Sequence, residues 1–263
     1  MNEMNPIQLP PTAVSLAQQM ADEARTIIHH YFRTRPEVDA KADQSPVTIA
    51  DRKIELMMRQ WIEKVFPEHG IKGEEFSHRN PDADWCWHLD PIDGTKSFLS
   101  GSLCFGTQIA LSYCEQPILG LIDQPITKER WLASNAQETQ FNETPVLTSA
   151  CVELANAVMY TSDPACFSQE QMARFSQLQQ AVNLVRYSHD CYAAGLLALG
   201  QIDLLVEANI YPYDIAAQIP VIEGAGGIVT DWHGRQPRLE GQVNIVAAAT
   251  RELHSKALAL LQR

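Results

Sequence analysis

No run of apolar residues in this chain is long enough to cross a bilayer, which excludes a membrane-spanning helix. Basic residues are scarce: 20 Lys and Arg stand against 32 Asp and Glu, a net charge of -12. Nucleic acid and anionic membranes recruit proteins through basic surface, so neither is expected as a partner. A small anionic substrate stays open, because a bound cation inverts the local field. The six cysteines form no C-x-x-C pair; most lie in apolar runs and read as reduced core residues of a cytoplasmic protein. The first eleven residues are polar and contain proline, without the basic and apolar blocks of a secretory leader. There is no internal repeat and no low-complexity segment. The 263 residues, 45% hydrophobic and 20% charged, suit an ordinary globular protein of one large domain or two modest ones.

The most informative stretch is Trp87-His88-Leu89-Asp90-Pro91-Ile92-Asp93-Gly94-Thr95, an apolar run that ends in two carboxylates. Pro91 holds Asp90 extended, and Gly94 permits a sharp turn and a close approach to the backbone. Converging carboxylates repel unless a cation lies between them, and the N–H groups around Gly94 and Thr95 suit an oxyanion. On its own the stretch reads equally as an Asp-rich turn. Other acids at element ends change that balance. Glu74 follows Gly73 at the end of a short strand, and Asp214 opens a helix after Tyr213. Each has an ordinary explanation, as a solvated loop acid or a helix-capping acid. Together with Asp90 and Asp93 they make an oxygen-only set without His or Cys, which suits Mg²⁺, Mn²⁺ or Ca²⁺ rather than Zn²⁺.

The rest of the chain frames these acids. Helical spacing predicts a long amphipathic helix over 12–34 with Thr12 as N-cap. His29 and His30 within it diverge and read as structural or surface residues. A second helix is capped by Thr48, with Ile54, Met57, Met58, Trp61, Ile62 and Val65 on its inner face and Asp51 in its first turn. Strands are expected over 85–90, and over 105–113 and 118–123 as an antiparallel hairpin, with another over 129–133. A domain boundary is placed in the polar segment 134–149, dividing 1–140 from 141–263. Beyond it strands and helices alternate, as in a layered α/β unit. One helix is expected to run from Asp214 through Ile222 to the Gly224-Ala225-Gly226-Gly227 cluster.

Gly73-Glu74-Glu75, Asp90-Pro-Ile-Asp-Gly-Thr95 with Phe98, and Tyr213-Asp214-Ile-Ala-Ala217 with the downstream glycines resemble, in order and spacing, the inositol monophosphatase family. The resemblance covers nearly the whole chain. It implies an α-β-α-β-α layered sandwich, α+β in its first part and α/β in its second, and a Mg²⁺-dependent, lithium-sensitive phosphatase, often a homodimer. It implies that Glu74, Asp90 and the Ile92 carbonyl hold one Mg²⁺. Asp90, Asp93 and Asp214 would hold a second, and a weaker third ion would share Glu74. Mn²⁺ could substitute. Gly94 and Thr95 N–H groups would grip the phosphate. Glu74 and the Thr95 hydroxyl would orient the attacking water, and Asp51 would support Thr95. Lys41 resembles a loop lysine of the family. Tyr213 departs from it, standing where a Trp is usual.

Asp190-Cys191-Tyr192-Ala193, Glu207, Phe105-Gly106-Thr107, Ile122-Asp123-Gln124-Pro125 and Lys128-Glu129-Arg130-Trp131 are most similar to the histidinol-phosphatase branch. Asp190 and Glu207 would then face the leaving alcohol, where acids suit an amine better than a neutral polyol. Asp190 reads equally as a helix N-cap, and Arg186 either contacts substrate or pairs with an acid. Ser188-His189 replaces two glycines expected before Asp190. The competing readings are an inositol-1-phosphate phosphatase, a 3′(2′),5′-bisphosphate nucleotidase and, in another class, a non-catalytic cation-dependent binding protein.

Overall fold

A computed structural model of the chain describes residues 7–34, 38–40, 46–134 and 137–262. Lys41 lies outside the described residues. Two helices open the chain, α1 (Ala13–Tyr31) and α2 (Ile49–Val65), with a hairpin of β1 (Val38–Ala40) and β2 (Pro46–Thr48) between them. A seven-stranded sheet follows in chain order: β3 (Gly70–Gly73), β4 (Trp85–Asp93), β5 (Gly106–Tyr113), β6 (Gln116–Gln124), β7 (Glu129–Ser134), β8 (Gln140–Phe141) and β9 (Thr144–Pro145). Only β3 and β4 run parallel in it, and the short helix α3 (Thr95–Ser100) leaves the end of β4. The second sheet has five strands: β10 (Val158–Thr161), β11 (Leu184–Tyr187), β12 (Leu204–Ile210), β13 (Ile228–Asp231) and β14 (Val243–Ala248). Their order is β11-β10-β12-β14-β13, and β10, β11 and β12 are parallel. Its helices are α4 (Gln169–Ala181), α5 (Asp190–Ala198), α6 (Pro212–Ile215), α7 (Gln218–Gly224) and α8 (Arg251–Leu261).

Period-two alternation along the strands divides the core into three slabs. On one face of the first sheet Trp87, Leu89, Ile109, Leu111, Leu119 and Leu121 pack on α1 and α2. On its other face Ala110, Ile122 and Trp131 meet α5, α7 and the inner residues Leu205, Ile245 and Ala247 of the second sheet. The outer face of that sheet, with Met159, Leu204, Val206, Val246 and Ala248, is covered by Phe175 and Leu178 of α4 and Leu253 and Ala257 of α8. The result is the expected α-β-α-β-α sandwich. The first sheet continues to Pro145, so the break placed after residue 140 falls inside it, and α5 and α7 belong to a core that both sheets share.

Several local expectations are corrected. Thr12 makes no side-chain cap; its backbone is not extended, and its carbonyl accepts the Ser15 hydroxyl instead. Val65 is 43% exposed, because α2 turns Glu55 and Arg59 inward rather than its last apolar residue. The helix expected from Asp214 onward is two helices, interrupted at Ala216-Ala217. Of the six free cysteines only Cys86 and Cys191 are buried; Cys114 and Cys166 are exposed.

Glu55 and Arg59 are inward for a reason. Arg59 Nε donates to Glu55 Oε1 at 2.7 Å, and its other nitrogens donate to the carbonyls of Ser77 and Phe76. Glu55 Oε2 accepts the Glu75 N–H at 2.7 Å. The carboxylate lies so close to Gly73 that a side chain there would collide with it. One buried ion pair thus holds the loop that carries Glu74. Arg59 is 7% exposed, and removing one partner of a buried pair strands the other charge without solvent. Arg59→Met is expected to lower the unfolding free energy by about 3 kcal/mol. Urea denaturation measures this; an unchanged midpoint and slope would contradict the assigned role.

Candidate active site

The acids converge where the ends of β3 and β4 meet the start of α6. Among the described residues Asp90, Asp93 and Asp214 each offer a carboxylate oxygen, all within 4.8 Å of one another. β4 delivers the first two, with a register irregularity between Asp90, opposite Gln108, and Asp93, opposite Gly106. Glu74 extends the pairing of β3, its N–H donating to the Leu89 carbonyl at 3.2 Å, and so stands beside Asp90. Asp214 is in the first turn of α6, where its Oδ2 accepts the Tyr211 N–H at 2.7 Å. The capping role and the site role of Asp214 therefore coincide.

Burial makes this cluster costly without a counter-charge. Desolvation, then the charges of Glu74, Asp93 and Asp214, raises the Asp90 carboxyl well above its ordinary value. Desolvation, then Asp190 and Asp214, does the same to Asp93. Asp90 Oδ1 is buried and has no hydrogen-bond partner. Such a set suits a hard divalent cation, which takes oxygen ligands and removes the repulsion. The same surroundings raise the Tyr213 phenol, first through burial and then through Asp214, Glu74 and Asp90, so it remains a neutral donor. Its ring stacks on Tyr211 with centroids 5.4 Å apart.

Polar residues that the sequence reading passed over hold the acids in place. Gln108 Nε2 donates to Asp93 Oδ2 and to the Asp214 carbonyl, both at 3.0 Å. The Cys191 N–H donates to the same Asp93 oxygen at 2.5 Å, and Gln218 Nε2 donates to the Asp214 carbonyl at 2.6 Å. A signal was present for one of them. Thr107-Gln108 interrupts an apolar strand, and polar groups buried in a strand require partners. Asp51 behaves differently from expectation. Its Oδ2 accepts the N–H and hydroxyl of Thr48 at 2.8 and 2.5 Å, closing a capping box rather than reaching Thr95. Its Oδ1 is buried without a partner, and burial pushes its carboxyl up to about 6. The Thr95 hydroxyl donates to the Ile92 carbonyl at 3.2 Å.

A cleft of about 310 Å³ runs from this cluster past Glu74, Asp93, Gly94 and Thr95 to Asp163, Asp190 and Glu207. Gly94 has φ of 90°, and a Cβ there would lie 2.7 Å from Asp190 Oδ2. Glycine is thus required for both the turn and the space. Asp190 also lies 3.5 Å from the Ser97 hydroxyl, and burial pushes it up to about 6. It is the first residue of α5 rather than its N-cap. Ser188 and Asp190 have φ of 64° and 45°, a left-handed conformation costing about 1–2 kcal/mol per residue. Ser188 lines the cleft; His189 instead packs its ring on Tyr160 at 4.5 Å, so its bulk stays out of the cleft. Glu207 Oε1 accepts the N–H and hydroxyl of Ser162, both at 2.8 Å. Arg186 is exposed on β11 and is not among the cleft residues. A wider groove of about 1040 Å³, walled by Phe76, Tyr211 and Tyr213, opens on the other side of Glu74 and carries none of Asp93, Gly94 or Thr95.

Glu207 is 6% exposed, and burial pushes it from 4.5 up to about 8. The folded state therefore keeps a proton that the unfolded chain has lost, and stability falls as pH rises through that window. Glu207→Gln stays neutral at every pH and loses this dependence. The Tm of Glu207→Gln relative to wild type is expected to climb between pH 5 and about 8 and then level off; scanning calorimetry would contradict this by showing a constant or shrinking difference.

Comparison with known proteins agrees with the geometry. The sequence model of the inositol monophosphatase family matches residues 11–263. The chain is 44% identical over 257 residues to the bifunctional phosphatase IMPL2, chloroplastic, of Arabidopsis thaliana, which covers 94% of this chain and 74% of that protein. It is 36% identical over 231 residues to a histidinol-phosphatase of Chlorobaculum parvum, covering 87% of this chain and 89% of the relative. The solved structure of an inositol monophosphatase from Zymomonas mobilis superposes with a TM-score of 0.88 at 40% identity, over 97% of this chain and 100% of that one. With strand-end acids gathered in a single cleft and a match from residue 11 to the last, this chain belongs to the inositol monophosphatase family and is one of its phosphatases.

Proposed function

We propose that the protein is a Mg²⁺-dependent phosphomonoesterase that hydrolyses histidinol phosphate to histidinol, a step of histidine biosynthesis. The observation that carries the substrate is the acidic far end of the cleft, where Asp163, Asp190 and Glu207 line the space beyond Gly94 and Thr95. A phosphoester whose alcohol bears an ammonium group supplies the charge those acids need. The names of relatives support the same reading, since one is a histidinol-phosphatase.

In this reading Glu74, Asp90, Asp93, Asp214 and the Ile92 carbonyl would hold two or three Mg²⁺ ions, for which Mn²⁺ could substitute. When bound, the cations neutralise the phosphate, make water a stronger nucleophile and stabilise the leaving alkoxide. The Gly94 and Thr95 N–H groups grip the phosphate. Glu74 and the Thr95 hydroxyl orient the attacking water, Thr95 giving up its bond to the Ile92 carbonyl. Asp51 supports this corner from behind through Thr48. Asp190 and Glu207 receive the ammonium, and binding it draws the Glu207 proton off into solvent. Arg186, exposed on β11 and outside the cleft, has no part in this reading. The homodimer and the lithium sensitivity implied by the family resemblance, and the cytoplasmic location read from the cysteines, belong to the same proposal. No helix among the described residues is long and apolar enough to cross a membrane.

Inositol-1-phosphate is the second reading, favoured by the likeness to the Zymomonas inositol monophosphatase. Side-by-side kcat/KM values for histidinol phosphate, inositol-1-phosphate and adenosine 3′,5′-bisphosphate separate the readings. Histidinol phosphate is expected to lead by about tenfold or more, the order of discrimination expected from a paired buried charge; a lead by either competitor overturns the substrate. Chelation is expected to abolish turnover, Mg²⁺ to restore it, and Asp93→Asn to lower kcat about 100-fold or more. Full turnover in metal-free buffer would overturn the mechanism.

A further inference from the structure

Two segments that stood out in the sequence, Lys128-Glu129-Arg130-Trp131 and Asp190-Cys191-Tyr192-Ala193, meet in space. Glu129 opens β7 on the first sheet, and Tyr192 lies in the first turn of α5. The Tyr192 hydroxyl donates to Glu129 Oε2 at 3.0 Å. The Thr127 hydroxyl donates to the same oxygen and holds that carboxylate in place. Trp131, on the same strand, meets the Tyr192 ring edge-on with centroids 5.6 Å apart. One turn along α5, Gly195 lies flat on the Trp131 indole, where a Cβ would come within 2.7 Å. Strand β7 therefore fixes the beginning of α5 at two points, one polar and one apolar.

The fixed turn is the one that serves the metal cluster. The residue between Asp190 and Tyr192 is Cys191, whose N–H donates to Asp93 Oδ2. The chain reaches this turn through Ser188 and Asp190, both left-handed, so the approach to α5 does not set its own geometry. The Tyr192 phenol, pushed up to about 12 by burial and then by Glu129, stays a donor.

We propose that Glu129 and Tyr192 are positioning residues for the cation site: their hydrogen bond holds the first turn of α5 so that the Cys191 N–H occupies Asp93 Oδ2 and leaves Oδ1 for the cation. This rests on the reading of Asp93 as a metal ligand. Outer partners of metal ligands tune affinity by orienting the ligand and holding its charge.

The test is Mn²⁺ binding to the whole substrate-free protein, followed by electron paramagnetic resonance, alongside kcat and KM. Tyr192→Phe removes one oxygen and is expected to weaken Mn²⁺ about tenfold, lowering kcat while KM moves less than about twofold. Glu129→Ala is expected to match it, the double variant to be no weaker than either single one, and Glu129→Gln, which still accepts the bond, to recover most of the affinity. Unchanged Mn²⁺ affinity in Tyr192→Phe, whatever its Tm, overturns the proposal. Should Tyr192→Phe fail to fold, the contrast between Glu129→Ala and Glu129→Gln reads the same bond from the other side, and equal affinities there overturn it. Absence of Mn²⁺ binding to the wild type overturns the metal site itself, a distinct failure.

Discussion

Carboxylates crowded at one end of a cleft repel one another, and much of this structure exists to hold them there. Asp93 is kept by an amide from β5 and an N–H from α5. Asp214 is kept by the backbone of its own helix and by two glutamine amides on its carbonyl. Glu74 depends on the Glu55–Arg59 pair of α2. These supports come from a strand of the first sheet and from helices on two different layers. None removes the repulsion. A divalent cation does, which is why the assembly reads as a metal site and not as four surface acids.

The layered architecture explains how such distant residues meet. Both sheets pack on the central layer of α5 and α7, so strand ends from one sheet face helix starts connected to the other. The acids of β4 come from the first sheet, Asp214 follows β12 of the second, and Asp190 opens the helix between them. The cleft therefore has a cation end and an acidic end, built from different layers. The cation end defines a chemistry shared by a family; in the proposed function the acidic end, with Asp190 and Glu207, is what selects among alcohols.

Much of this could be read beforehand. Alternating apolar strands and helical spacing give the layers, and Thr48 caps the helix it precedes. The acids were recognisable because Gly73, Pro91 and Gly94 mark them as ends of elements. The partners were harder to see. Gln108, Gln218 and the Cys191 N–H act through three-dimensional proximity, and a backbone N–H carries no residue signature. Asp51 shows the opposite limit: its spacing from Thr48 satisfies a capping box, and that local bond is the one it makes. Ser188-His189 illustrates the same point, since the backbone takes a left-handed form there without glycine and sends the imidazole outward.

The central claim is that Asp90, Asp93, Asp214 and Glu74 together hold divalent cations. Anomalous scattering from crystals grown with Mn²⁺ tests it most directly. The account predicts anomalous peaks among these four carboxylates, lost in Asp93→Asn. A cleft without anomalous density at saturating Mn²⁺, with the four side chains in place, would contradict it.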